Sequence, residues 1–369
     1  MTEKGYLVLA NITGYEAFLT RTEPEHAQSI VNDLLTTLLD NIKPPLVFFK
    51  LEGDAVFVYT AEGSFIHGKT LLEVVENLYC TFARTLETMY RNTVCTCQAC
   101  RHMTSLDLKF VIHYGAYSFT QISDKEDLIG SDVIILRELM KSPIADAVGI
   151  EAFIFITSAS ADAMGLNGLT DGMKTYSANY ENLGEINGFA YDLRTVWQFQ
   201  REHNRIRVNP DDAWLEVETD LPVSPALAWE YVTEPRYRSW WLAADEVTAY
   251  TNDKGRVGIG TTYICAHGKY KINQVIIDWR PFEYLTVDTA MPMKGMQRHT
   301  TQLISHDSGT RVSWRFDQII GRNHIHTLIL RLLFGPMKGK MMSRLKHGGA
   351  KVLEKIENDI ETGQLTTKP

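Results

Sequence analysis

Through residue 195 the apolar positions switch between short runs, alternation and helical spacing, and each switch predicts an element. Residues 7–10 are an apolar run that reads as a strand delivering Asn11 to its end, with a small-residue turn at Thr13-Gly14 and an aromatic at Tyr15. Thr22-Glu23-Pro24-Glu25 reads as a capping-box-like helix start. Ile30, Val31, Leu34, Leu35, Leu38, Leu39 and Ile42 then recur on one helical face until Pro44-Pro45 stops the run. Residues 46–50 and 55–60 pair as a hairpin across the turn 51–54, a helix follows over roughly 69–91, and 106–119 is a second strand region. A helix near 132–141, a strand at 152–157, a short helix and a closing strand around 180–194 complete a mixed order of helices and strands.

Beyond residue 212 the pattern changes. Residues 213–222 read as a strand, and Ser224-Pro225 as an N-cap with proline at the first helical position of a segment running to Trp241. Strands follow in succession to Ile320, separated by Gly, Pro, Asn and Asp, and Gly321 introduces a helical tail over about 323–362 with a break at Gly335-Pro336. One long helix against a curved antiparallel sheet encloses a cavity. The tail mixes Leu, Met and Phe with Lys, Arg and His over 325–349; its apolar stripe is expected to close that cavity, with the basic residues solvated and a membrane surface as the alternative. Between the halves, 197–214 crowds charged and polar residues and ends in Asn209-Pro210-Asp211-Asp212, which reads as a linker. The expected domains are 1–198 and 212–365, joined by 199–211.

Length agrees: 369 residues exceed one ordinary core and suit two domains. A composition 44% apolar and 22% charged is that of a soluble globular protein, and a formal charge of −8 gives no electrostatic reason to expect nucleic acid. The N-terminus carries no hydrophobic signal core, and no uncharged apolar run reaches the roughly 18–20 residues of a membrane span, so the cytoplasm is the expected location. Five cysteines, three of them in Cys95-Thr-Cys97-Gln-Ala-Cys100, fit a reducing compartment better than a disulfide scaffold.

Over roughly residues 5–195 the chain resembles the catalytic domain of class III nucleotidyl cyclases, in a degenerate form of the DUF2652 kind. That family's strand ending in Asp-Ile-x-Gly-Phe corresponds to Asn11-Ile12-Thr13-Gly14-Tyr15, and its Lys-x-x-Gly-Asp hairpin to Lys50-Leu51-Glu52-Gly53-Asp54. Residues 112–117 resemble its Gly-Ile-His-x-Gly strand, and 127–133 its Asp-x-x-Gly-x-x-Val-Asn segment. The resemblance implies a ferredoxin-like α+β fold, Lys50 and Asp127 reading an adenine edge, and Asp54 as one ligand of two divalent cations. It also implies loss: Asn11 replaces the other metal aspartate, Ile134 the ribose-orienting Asn, and Arg137 stands out of register, with Glu138 where the transition-state Arg belongs. Asn11, Asp54 and Arg137 are therefore vestigial catalytic positions. Mg or Mn follows only if the nucleotide site is alive. Such domains pair head to tail, which implies a homodimer through residues 1–195 able to hold an ATP-like nucleotide.

Cys95, Cys97, Cys100 and His102 bring three thiolates and an imidazole within eight residues, a donor set that suits zinc, with Cys80 or His113 as substitutes for His102. Reduced loop thiols and redox sensing are the other uses of such a cluster. Over roughly 212–362 the chain resembles the START-like (SRPBCC or Bet v1-like) helix-grip superfamily, on the early strand, the helix pair to Trp241, the Gly258-Ile-Gly260-Thr turn and the C-terminal helix. This implies an enclosed hydrophobic small molecule or lipid, with Trp229, Trp240, Trp241, Tyr263, Trp279, Trp314 and Phe316 as candidate lining. His267, His299 and His306 would be catalytic in a cyclase or hydrolase branch of that superfamily, but no spacing supports that role and they are expected at the surface. The expected function is a non-catalytic cyclase-homology sensor or scaffold coupled to a ligand-binding domain. The alternatives are an active cyclase making a cyclic nucleotide from ATP or GTP, and a hydrolase or aromatase-type enzyme in the C-terminal cavity.

Overall fold

A computed structural model describes residues 2–65, 67–122, 125–203, 205–251 and 256–365. The chain separates into two units, one ending at Glu202 and the other beginning at His203. The first unit runs β1 (Thr2–Thr13), α1 (Tyr15–Arg21), α2 (Pro24–Asn41), β2 (Val47–Glu52), β3 (Ala55–Ala61), α3 (Gly68–Asn92), α4 (Gln98–His102), β4 (Asp107–Ile122), β5 (Lys125–Ile129), α5 (Ser131–Lys141), α6 (Ile144–Val148), β6 (Phe153–Thr157), α7 (Ser158–Met164), β7 (Lys174–Tyr180), β8 (Gly184–Asp192) and α8 (Leu193–Glu202).

Leu7, Val8 and Leu9 are all buried because β1 is central and both faces of its sheet are covered. Leu7, Leu9, Phe57 and Val111 meet Val133, Leu136 and Leu139 of α5 and Ile144 of α6. The alternate residues face the side on which α2, α3 and α7 touch β3 and β4. The order β2-β3-β1-β4, with antiparallel neighbours and helices after β1 and β3, is the ferredoxin-like connection. β6 extends it parallel to β4, β8 and β7 continue it, and β5 folds back on β4.

Two local expectations are refined. The closing strand is present as β8, and it pairs with a further strand, β7, across a turn at Asn182 and Gly184, both at positive φ. Pro24 does start α2, but no side chain caps it. Glu23 instead accepts the Gln98 and Ala99 N–H groups at the start of α4, at 3.1 and 3.0 Å, and those bonds hold its carboxyl below the usual range. The residues read as a linker, 199–211, are helical up to Glu202. From Ile206 they are bonded into the second sheet, Ile206 N–H to Asp278 at 2.7 Å and Val208 N–H to Thr300 at 2.8 Å.

The second unit comprises β9 (Leu215–Leu221), α9 (Pro225–Thr233), α10 (Pro235–Trp241), β10 (Glu246–Tyr250), β11 (Thr262–His267), β12 (Tyr270–Arg280), β13 (Tyr284–Met291), β14 (Gly295–His306), β15 (Gly309–Phe316), α11 (His324–Phe334) and α12 (Lys338–Glu361). Its strands form an antiparallel sheet in the order β10-β11-β12-β13-β14-β15-β9, wrapped by the long C-terminal helix in a helix-grip arrangement. Ser224 caps α9 by accepting the Leu227 N–H. Gly348 and Gly349 sit inside α12, where a glycine costs about 1 kcal/mol of helix propensity. A Cβ there would lie 2.4 Å from the Trp240 carbonyl oxygen or the Thr219 hydroxyl, so the glycines let α12 seat against α10 and β9.

The tail departs from expectation at α11. Leu330 is the buried residue of that helix, so most of its apolar side chains stand outside the core, whereas α12 supplies Leu345, Val352 and Ile356 to it.

Candidate functional site

Antiparallel register sets Glu52, Ala55, Asn11 and Lys109 in one row across β2, β3, β1 and β4, with their side chains on one face. Asn11 thus has a lysine as its cross-strand partner. Lys109 Nζ donates to the Met140 carbonyl at 3.3 Å; burial pushes its pKa down while Asp54 acts in the opposite sense. Beside this row Lys50 donates to Asp127 at 2.7 Å and lies 3.2 Å from Glu52. Arg137 donates to Glu52 at 2.7 and 3.4 Å and approaches Asp127 at 3.9 Å. Two cations and two carboxylates therefore form a neutral, half-buried quartet. Burial would raise the Glu52 carboxyl, but Arg137 and Lys50 outweigh it and hold it low; the Lys50 hydrogen bond does the same for Asp127. Ile134 is exposed, and Glu138 pairs with Lys141 at 3.0 Å.

A second constellation joins α2 to the segment before β4. His26 Nδ1 lies 3.2 Å from Cys97 Sγ, 3.5 Å from Cys95 Sγ and 3.6 Å from Cys100 Sγ, and the four donor atoms fall within 4.8 Å of one another. The fourth donor is His26, where the sequence reading has His102. His102 closes the last turn of α4 on Gln98 at 3.1 Å. His113 is occupied as well, by Thr157 at 3.0 Å and Asp132 at 3.1 Å. The Cys97 N–H and thiol lower the Cys95 pKa to about 7. Cys97 itself is pushed up to about 11, burial and its two neighbouring thiols outweighing the Cys100 N–H. Sequence spacing could not reveal His26, which lies 71 residues from Cys97.

In the second unit Trp229, Trp241, Tyr263, Trp314 and Phe316 are fully buried in one core cluster and Trp279 packs against it. Trp229 meets Trp279 at 4.7 Å, and His299 stacks against Phe316 at 4.8 Å and Trp314 at 5.7 Å. His299 is thus an interior residue, not the expected surface one: β14 points it at the helix-covered face. Arg238 of α10, missed by the sequence reading, is fully buried beside it, 4.5 Å over the Tyr263 ring. Its one sequence signal is its place between Tyr237 and Trp241. Nη2 donates to Gln274 at 2.9 Å and toward His299 Nε2 at 3.3 Å, while Nε and Nη1 have no partner.

The family described as a protein of unknown function (DUF2652) matches residues 31–147. An uncharacterized protein of Mycobacterium tuberculosis is 24% identical over 162 residues, which is 44% of this chain and 73% of that protein. Among solved structures the chain is similar to a bacterial light-regulated adenylyl cyclase, at 11% identity and a TM-score of 0.38 over 55% of this chain and 98% of the other. It is also similar to the adenylyl cyclase CyaB from P. aeruginosa, at 15% identity and 0.38 over 51% and 94%, and to the guanylyl cyclase Cya2, at 11% and 0.39 over 52% and 93%.

Proposed function

We propose that the first unit is a cyclase-homology domain that binds without turnover, and that the second is a START-like container for an apolar small molecule or lipid, together a cytoplasmic sensor or scaffold. The observation that carries the first half is the row ending in Lys109. Two-metal phosphoryl chemistry needs hard anionic oxygens converging on both ions. Asn11 offers a neutral amide, and its cross-strand partner is an ammonium. A dication arriving beside Asp54 would meet that positive charge, and Glu52 is already engaged by Lys50 and Arg137. Incubation of the full chain with ATP or GTP and Mn tests this reading through the absence of cyclic product.

The same reading gives the thiol cluster a zinc ion. Tetrahedral zinc with Zn–S near 2.3 Å and Zn–N near 2.0 Å requires N···S edges of about 3.6 Å. Two observed edges, 3.5 and 3.6 Å, match that shell, and the third, to Cys97, is shorter at 3.2 Å. Three soft thiolates and an imidazole suit zinc and not Mg or Ca. Four protein donors leave no open position, so the role is structural: the ion would clip α2 to α4.

Helix α11 supports contact with an anionic lipid surface. Ile325, Leu328, Leu332 and Leu333 are each more than half exposed. From residue 318 to 353 the chain has seven Lys and Arg and no Asp or Glu, in a protein whose net charge is −8. An apolar helix face set in a basic surround is the pattern of an interfacial helix. At its foot a cleft of about 210 Å³ is lined by Trp214, Ile319, Arg331 and Phe334.

A further inference from the structure

Arg238 is a fully buried cation, and among the described residues no carboxylate pairs with it. A guanidinium has five N–H groups, and here only the two on Nη2 are directed at acceptors, Gln274 and His299. The three on Nε and Nη1 have none. Because His299 Nε2 faces a guanidinium, it must be the accepting nitrogen. The ring proton then sits on Nδ1, which is also unpartnered, as is Trp314 Nε1 on the adjacent strand. His299 is kept neutral by burial and by Arg238, so the net charge of this buried cluster is that of the guanidinium alone. Facing it are the Tyr263 ring and the Cys265 thiol from β11 and the Trp314 ring from β15. Unsatisfied buried donors gather around one unpaired positive charge, a combination that native interiors rarely tolerate because each such group is costly. What the arrangement lacks is an acceptor carrying one negative charge and an apolar body to lie against aromatic walls. A dianionic phosphate would leave a buried negative charge behind, whereas a carboxylate neutralises the guanidinium.

We infer that the interior of the second unit takes an apolar carboxylic acid head first, its carboxylate on the unpartnered N–H groups of Arg238 and its body among Trp241, Trp314 and Phe316. This rests on the container reading proposed above. The test uses the full chain with decanoate and decanol at neutral pH, read by quenching of intrinsic tryptophan fluorescence. Decanoate should bind about 10- to 100-fold more tightly than decanol, as expected for a charge-assisted hydrogen bond made away from water. Arg238→Met should abolish that preference, and without ligand its melting temperature should equal or exceed that of the parent, since an unpaired buried charge has been removed. Equal affinity for acid and alcohol in the parent protein, a comparison that needs no variant, would overturn the carboxylate assignment and leave the container standing. Retention of the acid preference in Arg238→Met would also overturn it. Failure of both probes to bind the parent would overturn the container reading too.

Discussion

Removing His26 should release the metal clip, and the size of the effect follows from the chain it closes. Ligation ties His26 to cysteines 69 to 74 residues away. On the chain-entropy account of cross-links, closing a loop of about 70 residues removes roughly 15 cal/mol/K from the unfolded ensemble. The first unit has about 200 residues, and at roughly 2.1 cal/mol/K per residue it unfolds with about 420 cal/mol/K. The ratio near 330 K gives a fall in melting temperature of about 10 °C when the clip is lost. The assay is differential scanning calorimetry of protein purified without chelator, before and after a strong chelator, with elemental analysis of each sample. His26→Asn should lower both zinc content and the melting temperature of the first unit, whereas His102→Asn should leave both unchanged. Metal-free protein whose melting is indifferent to chelator would refute the reasoning. Loss of metal from His102→Asn but not from His26→Asn would refute the donor set.

Two further outcomes are expected. His299 is neutral in the folded interior but takes a proton near pH 6.5 when the chain unfolds. Below that pH the unfolded state binds more protons, so this contribution is fully present above about pH 7 and is lost as pH falls, by about 2 kcal/mol between pH 7.5 and 5. Urea titrations should show that loss in the second unit and a shallower one in His299→Gln; equal pH slopes would contradict the assignment. Sedimentation with vesicles containing phosphatidylserine should capture the protein, less so with salt or in Leu328→Ser/Leu332→Ser, and equal binding to neutral vesicles would contradict the basic surround of α11.

Much of the fold was legible because burial imposes periodicity. The face of α2 and the apolar run of β1 announce themselves, as do the Ser224 cap and the break at Gly335. β7 was not legible: it is an edge strand with no fully buried residue, so nothing enforces an apolar alternation on it. Glu23 carries the local signature of one helix start and serves another, 75 residues on, a choice that only tertiary contact decides. His26 was hidden for the same reason, since ligand spacing within one loop says nothing about a helix that packs beside it. Arg238 and His299 look like surface residues in sequence, because charge and polarity read as exposure unless the fold turns them inward. Lys109 likewise gains meaning only from the register that sets it opposite Asn11.

The central claim is that the first unit no longer performs nucleotide cyclisation, and turnover measures it directly. Purified full-length protein would be incubated with ATP or GTP and Mn, and cyclic nucleotide quantified against a no-protein blank, with Asp54→Ala in parallel. The account predicts product at the blank level for both proteins, because Asn11 and Lys109 leave no charge balance for two metal ions. Cyclic AMP or cyclic GMP made by the parent and lost in Asp54→Ala would contradict it.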